Sequence, residues 1–105
     1  MKYYDVRLSP EAQTDIVRIH ARIVEKSCSS VTADRYIDRI SGFLSSLNVF
    51  PERGTVREEI RTGLRIIGFE RSASVAFIVE DEDVVILRIL TKGQEFGEVL
   101  DISNE

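Results

Sequence analysis

The chain opens on an alternation. In "YYDVRL", Tyr4, Val6 and Leu8 fall on one side and Tyr3, Asp5 and Arg7 on the other, the period of two expected of a half-buried strand. A helix follows at once. Ser9 is a capping residue, Pro10 suits the first helical position through its fixed φ, and Glu11 sits well near the positive helix end. Ala12, Ile16, Ile19 and Ile23 then recur at helical spacing, with Val17 and Val24 widening the stripe, so the predicted helix runs to near Lys26. The serines of "SCSS" favour caps over helix interiors and predict a tight turn into a second helix. From Ala33, the apolar positions Tyr36, Ile37, Ile40, Phe43, Leu44 and Leu47 cover more than one stripe, which predicts burial between the partner helix and a sheet. Phe50-Pro51 ends that helix.

"ERGTVREEIRTG" is polar and punctuated by Gly54 and Gly63, the pattern of a connecting loop. Three strands are predicted after it. "LRIIGFE" sets Leu64 and Ile66 against Arg65, Ile67 and Phe69, and "SVAFIVE" sets Val75, Phe77 and Val79 against Ala76 and Ile78. Asp81 to Asp83 form a hairpin turn into "VVILRIL", whose apolar residues at both parities predict a central, doubly covered strand. The expected fold class is α+β: an N-terminal strand, a helical hairpin and a three-stranded antiparallel meander, with the helices on one face of the sheet. The other face would be open to solvent or a partner, and Arg65 and Arg88 are candidates to lie there.

With 105 residues, one domain spanning residues 1–105 with a single core is expected, ending in a short, partly acidic tail from about residue 93. The net charge of −4 argues against direct nucleic-acid binding by the molecule as a whole. Cys28 is the only cysteine, which rules out an internal disulfide and fits a reducing compartment. No apolar run approaches the roughly 18 residues of a spanning helix, and "MKYYDVRL" lacks a signal-like segment. A cytoplasmic protein with no membrane association, metal or cofactor is the expectation.

The order "LSPEAQTDI", "ADRYIDRI", "FPERG", "GLR" and "VVILRIL" resembles the ParE/RelE superfamily of type II toxin-antitoxin toxins, and within it the ParE branch, over nearly the whole chain. The resemblance implies a bacterial growth inhibitor neutralised by a ParD-type antitoxin. Members of the ParE branch poison DNA gyrase, whereas the RelE branch cuts mRNA on the ribosome.

The residues themselves bear on that choice. Metal-independent RNA cleavage needs a base for the 2′-hydroxyl, cations for the phosphate and an acid for the leaving oxygen. The cations are present as Arg57, Arg61, Arg65, Arg71, Arg88 and Lys92, and these are the candidate antitoxin- or target-binding residues. An acid or base is not evident: Thr91 stands where ParE-like sequences commonly show His, and Tyr3, Tyr4 and Tyr36 belong to the first strand and second helix, away from the meander. No catalytic residue is assigned, and an enzyme is not expected. His20 reads as a boundary residue of the first helix, and Cys28 as a small turn residue. Arg57, Arg61 and Arg65 are either solvated charges offset by Glu58, Glu59 and Glu70 or a basic surface for an acidic partner. Arg88, in a strand otherwise without charge, is either an exposed functional residue or half of a structural ion pair. Three function classes follow: a gyrase-binding toxin, a RelE-like mRNA endoribonuclease, and a non-toxic interaction module derived from the family.

Overall fold

The computed structural model describes residues 2–91. Strand β1 (Asp5–Leu8) leads into helix α1 (Pro10–Ser27) and helix α2 (Ser30–Ser45), which tightens into a 3-10 turn at Ser46–Asn48. Strands β2 (Thr55–Val56), β3 (Arg65–Phe69), β4 (Ala73–Glu80) and β5 (Asp83–Thr91) complete a five-stranded sheet in the order β1-β5-β4-β3-β2. Only the β1–β5 pairing is parallel; the others are antiparallel. This is the expected α+β layer of a helical hairpin on a sheet, enlarged at its far edge. "TV" within the polar stretch 52–63 pairs with β3 as β2, a two-residue strand too short to leave a period in the sequence. Gly54 makes that edge possible, because with φ at +81° a side chain there would run into the Ile66 carbonyl.

The local signals act as anticipated. The Ser9 hydroxyl accepts from the Ala12 amide at 3.0 Å, and Pro10 begins α1. Cys28, left-handed at φ 55°, closes the helix with its N–H on the Val24 carbonyl, and Ser29 caps α2 by accepting from Thr32. The helices lie on one face of the sheet. There, Ile19, Ile40, Leu44 and Leu47 meet Val75, Phe77, Val84, Ile86 and Ile89. Fully burying side chains of this size contributes about 1.5–3 kcal/mol each.

Two expectations require correction. The core is not single: Leu64, Ala76, Ile78, Val85 and Leu90 form a second buried cluster, joined by Ile60, Ile66 and Leu87. The second face of the sheet therefore has apolar burial of its own. A regular two-residue alternation also fails part-way along β5. Phe77 pairs with Ile86 but Ala76 pairs with Arg88, so Leu87 is the extra residue of a β-bulge. Beyond it Ile89, not Leu90, continues the helix-facing row of Val84 and Ile86. Strand β5 is interior and buries side chains on both faces, as expected, although β4 is the middle strand of the five.

Candidate functional site

The bulge lies where β1 ends. Ser9, the last residue before α1, donates its N–H to Ile86 and its hydroxyl to the Leu87 carbonyl at 2.9 Å. Beyond this point no strand among the described residues lies beside the edge of β5, and α1 supplies a hydrogen-bond acceptor there. Asp15, with its side chain 1% exposed, accepts the Ile89 N–H at 2.8 Å and two hydrogen bonds from Arg88 at 2.8 and 2.9 Å. Arg18 adds a third cationic contact at 2.6 Å. Burial pushes the Asp15 carboxyl up, but the Arg88 hydrogen bonds, the Ile89 amide and Arg18 together outweigh it and hold the group below its ordinary range. The same pairing raises Arg88. Arg88 is thus engaged in an ion pair that ties the first helix to the last strand.

Arg71 sits in different surroundings. A groove of about 810 Å³ lies between α1, α2 and the β3–β4 turn, lined by Ile19, Ile23 and Tyr36 together with Arg22, Lys26, Arg35, Arg39 and Arg71. Five cations converge there in a chain whose net charge is −4. Arg39 is met by Glu70 in a two-point contact at 2.8 and 3.0 Å, which lowers the Glu70 pKa and raises that of Arg39. Its guanidinium lies 5.4 Å from the centre of the Tyr36 ring. Arg22, Lys26, Arg35 and Arg71 form no ion pair with another described residue.

The remaining candidates are dispersed. Arg57 precedes the turns between β2 and β3 and pairs with Glu59, the solvated offset considered from sequence. Arg61 is in those turns, its amide on the Arg57 carbonyl. Arg65 begins β3 and approaches Glu52 at 4.0 Å. Its register partner is the helix-facing Phe77, so Arg65 does not belong to the opposite face as expected. The length of β3, roughly 13 Å, separates Arg65 from the turn bearing Arg71. Lys92 lies outside the described residues.

Tyr36 departs from its expected place. Its hydroxyl is 2.8 Å from the Ser72 hydroxyl, and its ring packs edge-on against Phe69 at 5.7 Å, so the second helix delivers a tyrosine to the meander after all. His20 also has a partner, Asp34, at 2.8 Å across the helical hairpin. Neither contact leaves a local signal, because each joins residues far apart in the chain. Arg22, Lys26, Arg35 and Arg39 were missed for another reason. They read as ordinary polar faces of helices, and only the packing angle makes them converge. Among the described residues, no group of three or more His, Cys, Asp or Glu is arranged to hold a metal ion.

The model of the ParE toxin family of type II toxin-antitoxin systems matches residues 6–96. The chain belongs to that family. As a ParE-type toxin it shares its fold with a chain of the chromosomal ParDE system of Pseudomonas aeruginosa, at 22% identity and a TM-score of 0.73, over 85% of this chain and 96% of that one. A chain of the RelBE2 toxin-antitoxin complex of Mycobacterium tuberculosis is similar at 20% identity and a TM-score of 0.60, over 86% and 99% respectively. Comparison with curated protein sequences yields no match.

Proposed function

We propose that this ParE-type toxin acts by binding DNA gyrase without catalysing a reaction, and that a ParD-type antitoxin neutralises it. Membership of the ParE family carries this reading, and the disposition of the cations supports it. Arg88 is committed to Asp15, and the groove cations surround an apolar floor with no carboxylate or imidazole lining it among the described residues. A binding surface needs no more, whereas RNA cleavage needs a proton acceptor and donor. Arg71 in the groove and Arg57, Arg61 and Arg65 at the other end of β3 are the proposed contacts for antitoxin or target, with Lys92 as a further candidate. Arg88 is assigned to holding the frame. The role implies work in the cytoplasm, and no helix among the described residues is long and apolar enough to cross a membrane.

Supercoiling by purified gyrase tests the proposal. The chain should abolish supercoiling and accumulate cleaved DNA, and an equimolar antitoxin should restore activity. Unimpaired gyrase at excess toxin would refute it. One observation favours the endoribonuclease as a second reading: Tyr36 places a hydroxyl in the basic groove. Tyr36→Phe separates the two. Gyrase poisoning should survive this substitution, whereas an mRNA cleavage activity that it abolished would move the chain to the RelE side.

A further inference from the structure

Two local preferences are broken side by side around the groove. Arg22 and Lys26 are four apart on α1, and Arg35 and Arg39 are four apart on α2, so each helix carries a like-charged pair at the spacing where such pairs repel. The β3–β4 hairpin breaks the second preference. It closes over Glu70 at φ 49° and Arg71 at φ 58°, with the Ser72 N–H donating to the Phe69 carbonyl at 3.0 Å, a left-handed pair that favours Asn-Gly or Asp-Gly because a Cβ opposes the conformation. Arg71 thereby becomes the fifth cation of the lining. Of the five, only Arg39 has a carboxylate partner among the described residues, through Glu70. Concentrating unmatched cations in this way opposes folding, and local rules give way together where a ligand supplies the missing charge.

The walls specify the chemistry of that ligand. Hydroxyls of Thr32, Tyr36 and Ser72 stand among the cations, a concentration of donors suited to an anion with many oxygens. Each helix contributes two cations about 6 Å apart along its axis, which suits several linked charges better than one. Arg39 can join them, because its exposed pair with Glu70 is able to exchange the carboxylate for another anion. The floor adds an organic part. Ile19 and Ile23 are aliphatic, and the Tyr36 ring beside them offers an aromatic plane of the kind on which bases stack. The volume, about 810 Å³, falls in the range of small-ligand sites, roughly 300–1,000 Å³, and a net charge of −4 opposes a long polyanion more than a short one. We propose that the groove binds a nucleoside polyphosphate, its phosphate chain among Arg71 and the cations of α1 and α2 and its base over the floor of Ile19, Ile23 and Tyr36. This goes beyond the toxin reading and does not depend on the gyrase target.

Titration calorimetry of the full chain with ATP and with GTP, in metal-free buffer at low salt, tests the site. The tighter of the two should saturate a single site, bind at least about tenfold more tightly than its own monophosphate, and weaken as salt is added. Inorganic tripolyphosphate, which carries the charges without the base, should bind less tightly. Because the bound nucleotide bridges α1, α2 and the β3–β4 turn, Tm should rise with its concentration. Arg71→Gly relaxes the turn, so it should leave Tm equal or higher while weakening the nucleotide about tenfold. Glu70→Gln frees Arg39 and removes a negative charge from its side, and should leave nucleotide binding equal or tighter. The absence of saturable binding by either triphosphate would overturn the proposal, as would a monophosphate or tripolyphosphate that binds equally well. Full affinity in Arg71→Gly, or reduced affinity in Glu70→Gln, would do the same. So would a single-stranded oligonucleotide that binds more tightly than either triphosphate.

Discussion

Two arginine-carboxylate pairs with nearly the same geometry occupy opposite positions in this molecule. Arg88 grips Asp15 at 2.8 and 2.9 Å and Arg39 grips Glu70 at 2.8 and 3.0 Å, yet the Asp15 side chain is 1% exposed and that of Glu70 is 40% exposed. Burial decides what each pair does. Water screens the Arg39 pair and competes for its partners, so the pair can be remade when another anion arrives. Asp15 has no such alternative. Its carboxylate is desolvated, and it also accepts the Ile89 backbone N–H, beside which no strand lies among the described residues. The first pair belongs to the frame, and the second to a surface able to exchange partners.

The largest expected effect breaks the buried pair from one side. Arg88→Ala leaves the Asp15 carboxylate with only Arg18 and the Ile89 amide, and should cost on the order of 3–5 kcal/mol. Denaturant unfolding would register it as a lower midpoint at unchanged slope. If the midpoint hardly moves, the pair does not hold the frame. Replacing both partners with apolar side chains, Asp15→Leu with Arg88→Met, sharpens the point. Removing a buried ion pair together is often neutral, but here the Ile89 N–H loses its acceptor, so a deficit of about 1–3 kcal/mol should remain. Complete recovery in the double variant would mean that water or rearranged backbone satisfies that amide.

Acid provides a third comparison. Because folding lowers the Asp15 pKa, its contribution is fully present above the unfolded value, about 3.9. It is lost as pH falls below that value and through the folded one. The stability of the parent should therefore decline across that acidic window, and Asp15→Asn, less stable at neutral pH, should show a shallower decline. Parallel pH profiles would show that other carboxylates dominate. The smallest effect is expected at the exposed pair: Glu70→Gln should leave the unfolding midpoint unchanged within error, the usual outcome for a solvated ion pair. A clear loss of stability would erase the contrast between the two pairs.

Much of the frame was legible because its determinants are local. Ser9-Pro10 states a helix start in two residues, and Tyr4, Val6 and Leu8 state the core-facing side of a half-buried strand through their spacing alone. The alternation of Leu64 and Ile66 with Ile67 and Phe69 assigns side chains to the two sheet faces correctly. The same reasoning misplaced Arg65 relative to those faces and could not anticipate the bulge at Leu87, since one unpaired residue in an apolar run changes no local preference. The groove was the least legible feature. Arg22 and Lys26 on the first helix, Arg35 and Arg39 on the second, and Arg71 on a turn come from three elements, each reading as solvated surface.

What the sequence alone determined is the order and type of the main elements, the amphipathic faces and the family resemblance, because capping, periodicity and chain breaking act between residues a few positions apart. The tertiary structure alone decided which charges have partners. Arg88 finds Asp15 across 73 positions and Tyr36 finds Ser72 across 36, and a charged side chain takes its role from its partner and its access to water, both of which exist only once distant segments have packed.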